Sequence, residues 1–190
     1  MSELILISGG ARSGKSSYAV EMAKRCGTQV VYIATGAPSD AEMKKRIELH
    51  RASRPPHWKL MEEGKDIAAL LPALKETCEV VVIDCLGLLI SNLLADNLDD
   101  EEIERRIEQL VDAVRTADFT TIIVSNEVGS GIVPMHALAR RFRDLLGLFN
   151  QMVATKADRV IFMQMGIPVV IKGTPRDAKM ASDNRQNREY

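Results

Sequence analysis

Eight consecutive residues, Gly9-Gly10-Ala11-Arg12-Ser13-Gly14-Lys15-Ser16, match the pattern G-x-x-x-x-G-K-S. Binding a phosphate requires several donors that converge on one point. The glycines let the backbone curl so that successive N–H groups face an anion, and a helix starting at the end of the curl adds its positive dipole. Lys15 is placed to reach the β- and γ-phosphates of a nucleotide, and the Ser16 hydroxyl to ligate Mg²⁺. A glycine turn could fit the pattern by accident, but the context favours the functional reading. The apolar run Leu4-Ile5-Leu6-Ile7 is suited to a buried strand, and Ser17 to Arg25 reads as a helix.

Further side chains could complete a site. Val80-Val81-Val82-Ile83 ends in Asp84, and an acid at such a strand end either holds Mg²⁺ beside the phosphate loop or caps the next helix. Asp84-Cys85-Leu86-Gly87 also fits D-x-x-G, which has too few fixed positions to carry weight. His50 follows Arg46 by one helical turn, with Arg51 and Arg54 close behind. A histidine among cations could carry a phosphoryl group, or could pack beside Met43 and Ile47 as a helix residue. Glu127, in the polar and glycine-rich run Asn126 to Pro134, could contact a nucleotide or cap the following turn. Trp58 offers a flat apolar face for a flat ligand, and His136 suggests no role.

The elements that must position these residues alternate between strand and helix. Gln29 to Ala34 is a second strand, so strand, helix and strand form a βαβ unit and imply a parallel sheet. Ser39 with Glu42 forms a capping box for a helix from about Asp40 to Ala52, stopping before Pro55-Pro56. A helix over Lys65 to Glu76 leads to the Asp84 strand, which is expected beside the strand of the phosphate loop. Leu86 to Leu94 reads as a buried helix with Asn92 as its polar exception. Asp99-Asp100-Glu101-Glu102 opens another helix, with Ile103, Ile107, Leu110, Val111 and Val114 on its apolar stripe. Thr120 to Ser125 is expected as the fourth strand. A helix from about Met135 to Ala154 points Leu138, Phe142, Leu145, Leu146, Phe149 and Val153 inward. Its Arg140, Arg141 and Arg143 are either solvated or meet a phosphate across a cleft or subunit boundary. Arg159 to Met163 and Val169 to Lys172 flank Gly166-Ile167-Pro168 as an edge hairpin.

The result is a single α/β phosphate-loop domain over residues 1–173, with a mostly parallel sheet and a C-terminal antiparallel edge hairpin. The polar tail over 174–190 is expected to be disordered. At 190 residues and 46% hydrophobic, the chain suits one domain with a proper core. A net charge of −1 gives no reason to expect nucleic acid or an anionic membrane as partner, which leaves a small molecule. Cys26, Cys78 and Cys85 show no metal or disulfide spacing, and neither a signal peptide nor a membrane-length apolar run is present, so a cytoplasmic enzyme is expected.

The phosphate loop is accompanied by Tyr32-Ile33-Ala34-Thr35, Arg46-Ile47 with His50, Arg54-Pro55-Pro56-His57-Trp58, Ser91-Asn92-Leu93-Leu94, and Asn126-Glu127-Val128-Gly129 with Gly131-Ile132-Val133-Pro134. In that order and over nearly the whole chain, they closely resemble the adenosylcobinamide kinase/adenosylcobinamide-phosphate guanylyltransferase family. The resemblance implies a RecA-like fold, a homotrimer, and two reactions. ATP or GTP phosphorylates the aminopropanol hydroxyl of adenosylcobinamide; GTP then transfers GMP to that phosphate through a guanylylated histidine. It places the carrier at His50, while Leu49 replaces the first member of the family's histidine pair. Two rivals remain. One is a kinase without the covalent stage; the other is a GTP-dependent switch or chaperone, against which no N-K-x-D motif follows the Thr120 strand.

Overall fold

The computed structural model describes residues 2–36 and 54–174. The expected helix over Asp40 to Ala52, with Arg46, His50 and Arg51, lies outside these residues, as does the tail over 175–190.

The described strands form one sheet of seven, in the order β3-β2-β4-β5-β1-β6-β7. They are β1 (Leu4–Gly9), β2 (Val30–Ala34), β3 (Lys59–Glu62), β4 (Val80–Asp84), β5 (Thr120–Val124), β6 (Arg159–Gln164) and β7 (Ile167–Lys172). All neighbours pair in parallel except β6 and β7. The helices are α1 (Lys15–Cys26), the single turn α2 (Ile67–Leu70), α3 (Leu86–Ala95), α4 (Asp100–Arg115) and α5 (Ala137–Lys156).

The central strands are continuous apolar runs because both of their faces are covered. Successive side chains alternate across the sheet. Ile5, Ile7, Val80, Val82, Ile122 and Val124 pack under Ala19, Val20, Met22 and Ala23 of α1. Leu4, Leu6, Val81, Ile83 and Ile123 pack against α2 to α5, through residues such as Ile67, Leu89, Ile107, Leu146 and Phe149. The phosphate loop leaves β1, a central strand, at the carboxyl edge of the sheet, where α/β folds bind ligands.

Several expectations change. The strand over Thr120 to Val124 is the fifth, because Lys59–Glu62 forms an additional edge strand beside β2. Its sequence, KLME, is mostly exposed and not β-branched, so it carried no strand signal. The β4 strand that ends in Asp84 is not adjacent to β1; β5 lies between them. The stretch from Lys65 to Glu76 is one α-turn capped by Asp66, followed by a 3-10 turn over Leu71–Leu74. Pro72 lacks the N–H that a continuous helix would need. Helix α5 begins at Ala137, and Leu138 is 62% exposed instead of pointing inward. Phe142 is only partly buried, whereas Leu145, Leu146, Phe149 and Val153 are core residues. The hairpin turns at Met165-Gly166, both at positive φ, and Ile167 and Pro168 belong to β7. Pro168 is tolerated there because β7 is an edge strand.

Asn92, the polar residue of α3, is a cross-brace. Its amide donates to the carbonyls of Thr35 at 2.8 Å and Gly64 at 3.1 Å, tying α3 to the loops after β2 and β3. At the start of α4, Asp99 accepts a hydrogen bond from the Glu102 N–H at 2.8 Å. Replacing Asp99 with Ala should lower the unfolding free energy by about 1 kcal/mol. Glu108→Ala, an exposed change within the same helix, should stay within about 0.5 kcal/mol. Urea denaturation of the two variants checks the difference.

Candidate nucleotide site

The loop after β1 is shaped by close packing at its start and left-handed geometry along its length. A Cβ on Gly9 would stand 2.6 Å from both the Met163 carbonyl oxygen and the Ser13 hydroxyl, so only glycine fits there. Arg12 (φ 55°) and Gly14 (φ 89°) occupy the left-handed region, and they turn the chain into α1. The Gly166 N–H donates to the Ser13 carbonyl at 3.1 Å, and the Glu127 N–H to the Gly9 carbonyl at 2.9 Å. The β6–β7 turn and the loop after β5 therefore brace the cradle from two sides. Among the described residues, nothing lies within 4 Å of where a Gly10 Cβ would stand, so they leave the cradle open above that residue.

Lys15 opens α1 and folds its ammonium back onto the Gly10 carbonyl at 2.9 Å. Burial holds its pKa below the ordinary lysine range, while the nearby Cys85 and Asp84 pull it upward. Ser16 follows Lys15 in the first turn of α1. Asp84 ends β4, and the Tyr32 hydroxyl donates to its Oδ2. The Arg54 guanidinium lies 3.8 Å above the Tyr32 ring centre, and its buried Nε and Nη1 have no hydrogen-bond partner among the described residues. Burial first, then the charge and hydrogen bond of Asp84, push the Tyr32 phenol far above its usual pKa, so it remains a proton donor. Burial and Asp84 likewise push the Cys85 thiol up to about 12, so it is no nucleophile. Thr35 clamps the same corner: its hydroxyl donates to the Cys85 carbonyl at 2.8 Å, and it accepts from the Cys85 N–H at 2.7 Å.

Lys15, Ser16, Asp84 and Arg54 thus belong to elements that converge at one corner of the fold. Glu127 takes the capping option: one of its oxygens accepts from the N–H groups of Gly129 at 2.6 Å and Ser130 at 2.8 Å. Trp58 is only 9% exposed and packs in the apolar cluster on the α1 face, which leaves little of its ring for a flat ligand. Arg140 bonds the carbonyls of Pro134 and Met135, Arg141 pairs with Asp100, and Arg143 with Asp144, so all three have intramolecular partners. Tyr32 was invisible as a site residue because its reach to Asp84 depends on the register of β2 against β4.

Among the described residues, no group of three or more His, Cys, Asp or Glu side chains converges. The hard oxygen donors here are Ser16 and Asp84. Two such donors suit Mg²⁺, which keeps water and binds through phosphates more than through an all-protein cage. A cavity of about 240 Å³, bordered by Lys65, Ile67, Leu93, Arg106 and Leu110, lies on the α2–α5 face, away from this corner.

A backbone cradle at a helix start, a half-buried lysine above it and an acid at the tip of a strand two places away define a phosphate-loop nucleotide-binding domain. A solved ATPase domain is similar in fold, with a TM-score of 0.50 over 88% of this chain and 78% of its own, at 12% identity. The model of the CobU family, described as cobinamide kinase / cobinamide phosphate guanyltransferase, matches residues 5–171. The bifunctional adenosylcobalamin biosynthesis protein CobP of Pseudomonas aeruginosa is 41% identical over 170 residues, covering 90% of this chain and 98% of that protein. The bifunctional adenosylcobalamin biosynthesis protein CobU of Escherichia coli is 40% identical over 181 residues, covering 89% and 99%. The chain belongs to the CobU family.

The depressed pKa of Lys15 has a measurable effect. Phosphates replacing the Gly10 carbonyl would raise it, so binding of a triphosphate takes up protons at alkaline pH. Affinity should then fall as pH rises through the free-state value of Lys15. Calorimetry in buffers of different ionisation heats checks this; binding with no proton uptake would mean that Lys15 does not meet the phosphates.

Proposed function

We propose that this chain phosphorylates the aminopropanol hydroxyl of adenosylcobinamide with ATP or GTP. It then transfers GMP from GTP to that phosphate, giving adenosylcobinamide-GDP and pyrophosphate. The observation that carries the proposal is the phosphate cradle with Lys15 above it and Asp84 at its side, in a chain of this family.

In the kinase stage, the N–H groups of Gly9 to Ser16 and the Lys15 ammonium hold the triphosphate. Lys15 exchanges the Gly10 carbonyl for β- and γ-phosphate oxygens. Ser16 and Asp84 would hold Mg²⁺, which offsets charge building up on the phosphates during transfer. Arg54 brings to the same charge two buried nitrogens that have no partner among the described residues. In the second stage, His50 is the carrier. A neutral imidazole nitrogen attacks the α-phosphorus of GTP, pyrophosphate leaves, and a phosphoramidate forms. The substrate phosphate then displaces the imidazole and takes the GMP. Arg46, Arg51 and Arg54 stabilise the phosphate oxygens in both steps. Glu127 shapes the nucleotide loop through its capping bonds, a supporting role beside a base or sugar contact.

The chain is read as a homo-oligomer, a trimer by family. Ile132 (97% exposed), Met135 (93%) and the β7 residues Ile167 (60%) and Ile171 (65%) supply apolar surface that association would cover. No helix among the described residues is long and apolar enough to cross a membrane. Cys26, Cys78 and Cys85 are not joined in disulfides, which suits a reducing, cytoplasmic setting.

A kinase without the covalent stage is the second reading. It is favoured by Leu49, which stands where the family's motif has a histidine. The protein and its His50→Ala variant, incubated with Mg²⁺ and GTP labelled at the α-phosphate, separate the two. Acid-labile, base-stable label on wild type and none on a folded His50→Ala is the expected result. An active, folded wild type without label would exclude the carrier and leave the kinase.

A further inference from the structure

We propose that Tyr32 is a positioning residue for phosphoryl transfer, its hydroxyl orienting the Asp84 carboxylate while its ring face carries the Arg54 guanidinium to the same centre. This rests on the reading of Asp84 as the acid that holds the Mg²⁺ of the nucleotide.

The sheet dictates the placement. In the parallel β2–β4 pair, Tyr32 lies opposite Val82 and Ala34 opposite Asp84. Residues two apart share a face, so Tyr32, Val82 and Asp84 all project toward the side covered by α1, the helix that Lys15 begins. Tyr32 stands one step back along the sheet, and a phenol has the length to reach forward to Asp84. The residue is 2% exposed in a cluster with Trp58, Val80 and Val82, where phenylalanine would pack equally well. A hydroxyl buried there is costly unless bonded, and among the described residues it is bonded to one group, Asp84 Oδ2. That bond occupies one carboxylate oxygen and fixes the rotation of the group, so Oδ1 is presented to a ligand in a set direction. Hydrogen bonds of this kind orient metal-binding carboxylates in many proteins.

The same ring also positions a cation. Arg54 stacks on it at 3.8 Å, with Nε and Nη1 buried and without a hydrogen-bond partner among the described residues. Buried cationic donors without acceptors are costly, and a phosphate oxygen is the acceptor that a guanidinium suits best. One side chain therefore sets where both the metal-seeking acid and the phosphate-seeking base stand. A shift of Tyr32 would move both together.

The test measures Mn²⁺ binding to the GTP-loaded protein by electron paramagnetic resonance, and GTP binding in EDTA, for wild type and three variants. Tyr32→Phe keeps the ring and its packing and loses only the hydroxyl. It should weaken Mn²⁺ about tenfold or more, the scale on which such outer partners act. Metal-free GTP affinity should stay at the wild-type level. Arg54→Met should do the converse, weakening GTP in EDTA. Tyr32→Phe added to Asp84→Asn should cost no further Mn²⁺ affinity, because the hydroxyl acts through that carboxylate. Wild-type Mn²⁺ affinity in Tyr32→Phe, alongside its loss in Asp84→Asn, would overturn the positioning role alone. Wild-type Mn²⁺ affinity in Asp84→Asn would overturn the metal reading beneath it as well. Unchanged GTP binding in Arg54→Met would remove the part assigned to the ring face.

Discussion

The ammonium of Lys15 is partly buried at the head of α1 and, before any phosphate arrives, rests on the carbonyl of Gly10. Its environment depresses its pKa, so the charge is held under a solvation penalty that an anion would relieve. The helix start behind it imposes the same preference through its free N–H groups. Much of the surrounding structure follows from keeping this cradle open. Gly9 must lack a side chain because Met163 and Ser13 close in on it, and the Met165-Gly166 turn and the Glu127 backbone hold the loop from opposite sides.

The sheet order sets the distance at which a second group can assist. Because β5 separates β1 from β4, Asp84 stands two strands from the phosphate loop, and the loop after β5 emerges between them. Ser125 donates to Asn150 at 2.5 Å, and Asn150 donates to the Asn126 carbonyl at 3.0 Å, so α5 pins the root of that loop. Thr35, Asn92 and Tyr32 fix the corner of Asp84 in the same manner. Phosphoryl transfer depends on positioning and electrostatics more than on covalent chemistry by the protein, and such a frame provides both.

Strong local patterns made most of this legible in the sequence. The strands β1, β2, β4 and β5 are apolar runs long enough to be buried on both faces, and α4 carries a clear apolar stripe behind its Asp99 cap. The phosphate loop could be read because its chemistry lies within eight adjacent residues. What escaped was non-local or weakly patterned. Strand β3 exists through its pairing with β2, and its own residues are exposed. Pro72 divided an apparent helix. The link from Tyr32 to Asp84 spans 52 residues and rests on strand register, which no linear spacing records. Glu127 offered two readings that sequence alone could not separate, and it is seen bonded to its own turn.

The nucleotide site turns most directly on where Lys15 goes when a nucleotide binds. A crystal structure of the protein with Mg²⁺ and a non-hydrolysable GTP analogue measures that. The predicted result has the triphosphate in the Gly9 to Ser16 loop, Lys15 Nζ moved from the Gly10 carbonyl to the β- and γ-phosphates, and Mg²⁺ between Ser16 and the Asp84 side. A triphosphate bound elsewhere, or Lys15 still on Gly10 with the nucleotide in place, would contradict it.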